Sequence, residues 1–130
     1  MMNAPFTIDG TTYNVTVPVG GLKRSFKVLD GKNAGRVLSG DMERDIIGTF
    51  YNYELQIDAR SASLAEYDQL YEALSAPVNF HTVVFPYGQS TLTFQAYVTE
   101  GQDSISRIAG GKNYWRGLTI QFTAKSPQRR

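Results

Sequence analysis

The longest unbroken alternation of apolar and polar positions runs from Ile46 to Asp58, IIGTFYNYELQID. Ile47, Tyr51, Tyr53, Leu55 and Ile57 fall on one side, and Gly48, Asn52, Glu54, Gln56 and Asp58 on the other. This is the pattern of a strand with one buried face, and it predicts the central strand of an antiparallel sheet. Upstream, Phe6 to Ile8 and the alternate residues Tyr13, Val15 and Val17 flank Asp9-Gly10, which predicts a β-hairpin closed by that turn and ended by Pro18 and Gly20-Gly21. Leu22, Arg24, Phe26 and Val28 then share a face opposite Lys23, Ser25 and Lys27, predicting a second long strand with a solvated side. Residues 30–45, DGKNAGRVLSGDMERD, have little periodicity and are expected to form a long loop or arm between two strands.

After the central strand the spacing changes to that of a helix. Ser63 with Glu66 three positions on is a capping-box pattern, and Leu64, Tyr67, Leu70, Tyr71 and Leu74 recur along one side until Ala76-Pro77 stops the element. Residues 78–85 and 92–98 read as two strands around a turn at Pro86 to Ser90, 100–113 as a second loop, and Tyr114 to Ala124 as the last strand, with Leu118, Ile120 and Phe122 on one face. These elements predict a mainly β, α+β fold. It is an antiparallel β-sandwich or barrel-like sheet with one flanking α-helix over about residues 63–75. A single domain is expected over 1–130, with the arm at 30–45 and a flexible polar C-terminal tail at 126–130.

Composition narrows the function classes without selecting one. Apolar residues make up 42% and charged residues 19% of the 130, the balance of a folded protein. Thirteen basic against twelve acidic residues give no bias towards nucleic acid or an anionic membrane, so neither is expected as a partner. With no cysteine, disulfides, thiolate chemistry and Cys-based zinc sites are excluded. The start, MMNAPFTIDG, lacks the basic and apolar regions of a secretory signal, and no stretch reaches the length of a membrane span.

Candidate chemistry is sparse. His81, the one histidine, lies on an apolar strand with no nucleophile or carboxylate at a useful spacing, and reads as a hydrogen-bonded structural residue. Asp41, Glu43 and Asp45 alternate as in the start of a calcium loop, but Met42 and Arg44 interrupt them and the later ligands are missing, so they read as a solvated loop with internal ion pairs. No catalytic, cofactor-binding or metal-binding residue is assigned, and no cofactor is expected. The eight Tyr, seven Phe and one Trp fall mostly on apolar phases, which reads as core. Lys112, Tyr114, Trp115 and Arg116 also form a cluster of the kind that stacks on bases or sugars, and Trp115, out of phase with Leu118 and Ile120, is expected at a surface or subunit interface.

Three blocks together resemble a family of small proteins encoded by tailed phages and prophages, chiefly of Gram-positive hosts. They are Ala34-Gly35-Arg36 through Ser39-Gly40-Asp41-Met42 to Arg44-Asp45-Ile46-Ile47-Gly48-Thr49; Tyr67 to Val78; and Gly111 to Leu118 leading to Phe122-Thr123-Ala124-Lys125-Ser126-Pro127. The likeness covers roughly residues 20 to 127. It implies a non-enzymatic structural protein of the tail or baseplate, similar to tail-tube, tail-terminator and distal-tail proteins. Such a protein would be made in the host cytoplasm and incorporated in the virion tail. Its implied partners are copies of itself, in a ring or tube, and other tail proteins. Arg36, Asp41, Arg44, Trp115 and Arg116 are the interface candidates. The alternative from the residues is a carbohydrate-binding β-module using Tyr87, Tyr114 and Trp115.

Overall fold

The computed structural model describes residues 2–3, 6–32, 35–36, 40–61 and 63–130. Eleven strands and one helix follow in the order β1 (Met2–Asn3), β2 (Thr7–Ile8), β3 (Thr16–Val17), β4 (Leu22–Asp30), β5 (Gly35–Arg36), β6 (Met42–Glu43), β7 (Ile46–Asp58), α1 (Leu64–Leu74), β8 (His81–Tyr87), β9 (Ser90–Tyr97), β10 (Gly101–Ala109) and β11 (Lys112–Ala124). Nine strands form one antiparallel sheet in the order β1-β3-β7-β11-β9-β8-β2, with β4 added to β7 and β10 added to β11. The sheet curls into a half-barrel, so the fold is mainly β with one helix, as the periodicities predict. Its concave side is filled by α1, through Tyr67, Leu70 and Leu74, and by Phe6, Ile8, Tyr13, Val15 and Val17 of the N-terminal segment. These meet an aromatic cluster in which Tyr53 stacks on Phe85 at 4.5 Å between centroids and Phe122 meets Phe85 edge-on at 5.1 Å.

The strand predicted to be central is central. β7 pairs with β4 along one edge from Asp30↔Ile46 to Leu22↔Leu55, and with β11 along the other from Phe122↔Tyr53 to Arg116↔Asp58. The hairpin expected from residues 6–17 is the first correction. Asp9-Gly10 does form the turn, with both residues at positive φ and Ile8 and Thr11 exchanging 3.0 Å bonds. The Asp9 N–H also donates to the Thr82 carbonyl at 2.7 Å, and the Asp9 carboxylate accepts the Thr82 N–H at 2.8 Å. The turn is thereby pinned to β8, β2 pairs with Val83 and Val84, and β3 pairs with β7 at the far end of the sheet. The intervening residues carry the chain between the two ends.

The loop expected at 100–113 is the second correction: it is β10 and a two-residue Gly110-Gly111 turn, both glycines at positive φ. Register shifts at Gln102/Ser104 and Ile105/Arg107 break the alternation that would have revealed the strand. The arm at 30–45 is also not a plain loop. Residues 33–34 and 37–39 of the arm lie outside the described residues; in the rest, Gly35 and Arg36 of β5 stand opposite Glu43 and Met42 of β6 as a separate two-stranded sheet, and Arg44 Nε is paired to Asp30 Oδ1 at 2.8 Å.

The helix starts at Ser63 as expected, but the capping box is not closed. Ser63 Oγ accepts a 2.6 Å bond from Asn14 Nδ2, and Glu66 Oε1 accepts the Asn14 N–H at 3.1 Å, so both capping groups instead tether the N-terminal segment. At the other terminus, the segment expected to be a flexible tail at 126–130 is tied to β7. The Thr49 N–H donates to the Arg129 carbonyl at 2.7 Å, and the Gln128 side-chain amide accepts the Tyr51 N–H and donates to the Tyr51 carbonyl, both at 2.9 Å. A side chain thus takes the place of a strand residue beyond the end of β11.

Candidate interaction surfaces

The sheet register creates two ribbons that leave the shared centre in opposite directions. β7 and β11 overlap only between Tyr53 and Asp58 on one strand and Arg116 and Phe122 on the other. Beyond Tyr53, β7 continues with β4; beyond Arg116, β11 continues with β10. Among the described residues nothing pairs with the outer edge of β4 or of β10, each nine residues long. Both ribbons leave large apolar side chains uncovered: Phe26 (71% exposed), Met42, Ile46 and Ile47 on one, Ile105, Ile108 (71%) and Trp115 (36%) on the other.

On the β4–β7 ribbon the buried face of the strands runs on past the core. Arg24 stands opposite Tyr53, Phe26 opposite Tyr51 and Val28 opposite Thr49. Arg24, Phe26, Val28, Thr49 and Tyr51 line, with Tyr87 and Arg129, a groove of about 570 Å³. The Arg24 guanidinium lies 5.5 Å from the centre of the Tyr87 ring, and the Tyr51 and Tyr87 rings meet edge-on at 5.2 Å. Hydrogen bonds from the Tyr87 hydroxyl and from Arg129 hold the Tyr51 phenol below its ordinary range, and donating to Tyr51 pushes Tyr87 above it. Among the described residues this groove is lined by two guanidinium groups and no carboxylate.

On the β10–β11 ribbon the decisive residue is Gly117. At φ +72° it occupies a bulge where the pairing with β7 slips between Arg116 and Leu118, and its N–H donates to Asp58 Oδ1 at 2.8 Å. A bulge reverses the alternation, so Trp115, out of phase by simple counting, faces the helix. There it lines a cleft of about 360 Å³ with Tyr67, Asp68, Tyr71, Glu72 and Asp103, and a second with Leu64, Ala65 and Lys112. The buried Tyr67 hydroxyl donates to Asp103 Oδ2 at 2.9 Å, and burial, reinforced by that carboxylate, raises its phenol far above the ordinary range.

The five interface candidates therefore divide between the two ribbons. Arg36 belongs to β5, its side chain lying outside the described part, and Asp41 is exposed just before β6. Arg44 is engaged by Asp30 and braces its own hairpin. Trp115 and Arg116 sit at the opposite end, Trp115 against the helix and Arg116 exposed. The aromatic trio considered for sugar binding does not converge: Tyr114 lies under the Arg107 guanidinium at 4.2 Å, Trp115 faces α1, and Tyr87 belongs to the other groove. Sequence reasoning missed Arg24, Tyr51 and Arg129 as a group, since only the docked C-terminus brings Arg129 to the hairpin.

His81 is buried, and its Nδ1 donates to Asp9 Oδ2 at 2.7 Å. In a catalytic pair the imidazole faces the substrate and the carboxylate is sheltered. Here the imidazole is sheltered and Asp9 is 51% exposed, an arrangement that fastens a turn to a strand. Asp41, Glu43 and Asp45 are exposed on the arm, and among the described residues no group of three His, Asp or Glu side chains is placed to hold a metal ion. No helix of the described residues is long and apolar enough to cross a membrane. No family model and no curated protein sequence matches the chain.

Proposed function

We propose that this chain is a structural subunit of a phage or prophage tail or baseplate, acting by self-association and by docking to other tail proteins rather than by catalysis. The observation that carries the self-association is the pair of oppositely directed ribbons, each with a nine-residue edge unpaired among the described residues and with uncovered apolar side chains. Edges of this kind are a liability in a solitary protein and a template in an assembling one. The tail assignment rests on the sequence blocks at 34–49, 67–78 and 111–127, two of which fall on the two ribbons.

Electron microscopy of the purified full chain over a concentration series tests the reading. Rings, short tubes or discrete oligomers appearing as the concentration rises are the expected result. Isolated particles of a single monomer at every concentration would overturn it.

A further inference from the structure

Resting on self-association as just proposed, the structure carries one step more: which surface meets which. The groove on the β4–β7 ribbon presents Arg24 and Arg129 beside the uncovered Phe26 and the Tyr51–Tyr87 pair, with no carboxylate among its lining residues. The cleft beside α1 presents Asp68, Glu72 and Asp103 around Tyr71 and Trp115, with no cation among its lining residues. Asp68 and Glu72 are exposed, as are Arg24 and Arg129, and among the described residues no salt bridge joins any of the four to a group of its own chain. The two surfaces are thus matched in charge and in aromatic character.

They cannot meet within one molecule. Tyr51 of the groove and Asp58, the partner of Arg116 next to Trp115, are separated along β7 by seven residues, about 23 Å at ~3.3 Å per residue. The ribbons that carry the two surfaces also diverge from that shared segment. We propose that the groove of one copy receives the acidic, aromatic cleft of a second copy, so that subunits join head to tail. Such a contact is between unlike surfaces, and every added subunit leaves one groove and one cleft free. The contact propagates until rotation closes it into a ring, or continues as a filament if it does not close. A dimer that sets groove against groove would bring two arginine pairs together and is disfavoured by their charge; a reciprocal two-fold pair, each groove in the other's cleft, is the smallest ring the contact can close.

The test uses two full-length variants altered only at exposed positions. One carries Arg24→Ser with Phe26→Ser and so lacks the groove; the other carries Asp68→Lys with Glu72→Lys and so lacks the cleft, and the two altered surfaces do not attract each other. Circular dichroism establishes that both fold, and sedimentation velocity reads their size. Wild type is expected to form concentration-dependent oligomers, and each variant alone to be monomeric, with the association midpoint raised about tenfold or more. Mixed in equal amounts, the variants retain one intact groove and one intact cleft between them, and are expected to form a one-to-one dimer that grows no further.

The failures are distinguishable. If wild type assembles and either variant assembles equally well, or if the mixture stays monomeric, the assigned surfaces are wrong while self-association stands. If wild type is monomeric at all concentrations, self-association fails and this inference fails with it.

Discussion

At the scale of single residues, much of this fold turns on two positions that do something other than their sequence pattern promises. Asp9 reads as a turn residue, and it is one, at φ 51°. It also holds β8 through His81 and the Thr82 N–H. Burial by itself raises its carboxyl, but the bonds from His81 and Thr82, with the charge of His81, outweigh that and hold it below the usual value of 3.8. A native value below the unfolded one stabilises the fold at pH above 3.8, and the contribution disappears as the pH falls through the lowered native value. Asp9→Asn keeps a residue that tolerates positive φ but removes the charge. It is expected to lose about 1 kcal/mol at neutral pH, a modest figure because the carboxylate is half exposed. Urea unfolding at pH 7 and at pH 3 checks this, since the gap between wild type and variant should narrow in acid. Gly117 is the other position. Nothing in YWRGLTIQ announces that the glycine is a bulge rather than a strand residue, so counting by twos turns Trp115 away from α1, whereas it faces the helix while remaining exposed, as expected of it.

At the scale of elements, the legible parts are those whose two faces differ. β7, the second half of β11 and α1 each bury one side, and alternation or helical spacing follows from that difference. β10 is an edge strand with only Asp103 partly buried and two register shifts, so its side chains carry no phase to read. The C-terminus was illegible for another reason. Its anchoring depends on an amide side chain imitating a strand and on a space left by a glycine far away in sequence. A Cβ built on Gly48 would lie 2.7 Å from the Arg129 carbonyl oxygen and 2.7 Å from Pro127 Cβ, contacts that real Cβ atoms do not make. Gly48→Ala is therefore expected to lift residues 127–130 off β7 without unfolding the sheet. Hydrogen exchange reads this directly. The amides of Thr49 and Tyr51 should lose protection while those of Leu55 and Ile57, paired to β11, keep it; unchanged protection at Thr49 and Tyr51 would mean that the tail tolerates the methyl group.

At the scale of the whole molecule, the last long strand holds the sheet together. β11 pairs with β7 on one side and with β9 and β10 on the other, so among the described strands it is the one whose pairing joins the group β1, β3, β4 and β7 to the group β9, β8 and β2. The core follows the same division, because Leu118, Ile120, Phe122 and Ala124 stand between Leu55 and Ile57 of one group and Phe94 and Ala96 of the other. A chain that ends before β11 has strands with nothing to close against, and the long separations that closure must bridge place folding in the slow, millisecond-to-second range of non-local β topologies. Two truncations separate this central role from that of the tail. Ending the chain after Gly111 removes β11 and is expected to abolish cooperative unfolding in urea. Ending it after Lys125 removes only the segment on Thr49 and Tyr51. That shorter deletion is expected to preserve a single cooperative transition, lowered by about 1 to 3 kcal/mol for the loss of a few partly exposed hydrogen bonds. It also bares the β7 edge, so the Lys125 truncation should aggregate more readily than wild type at equal concentration. A cooperative transition in the chain ending at Gly111 would show that the two groups fold without their shared strand, and the division of the sheet described above would then be wrong.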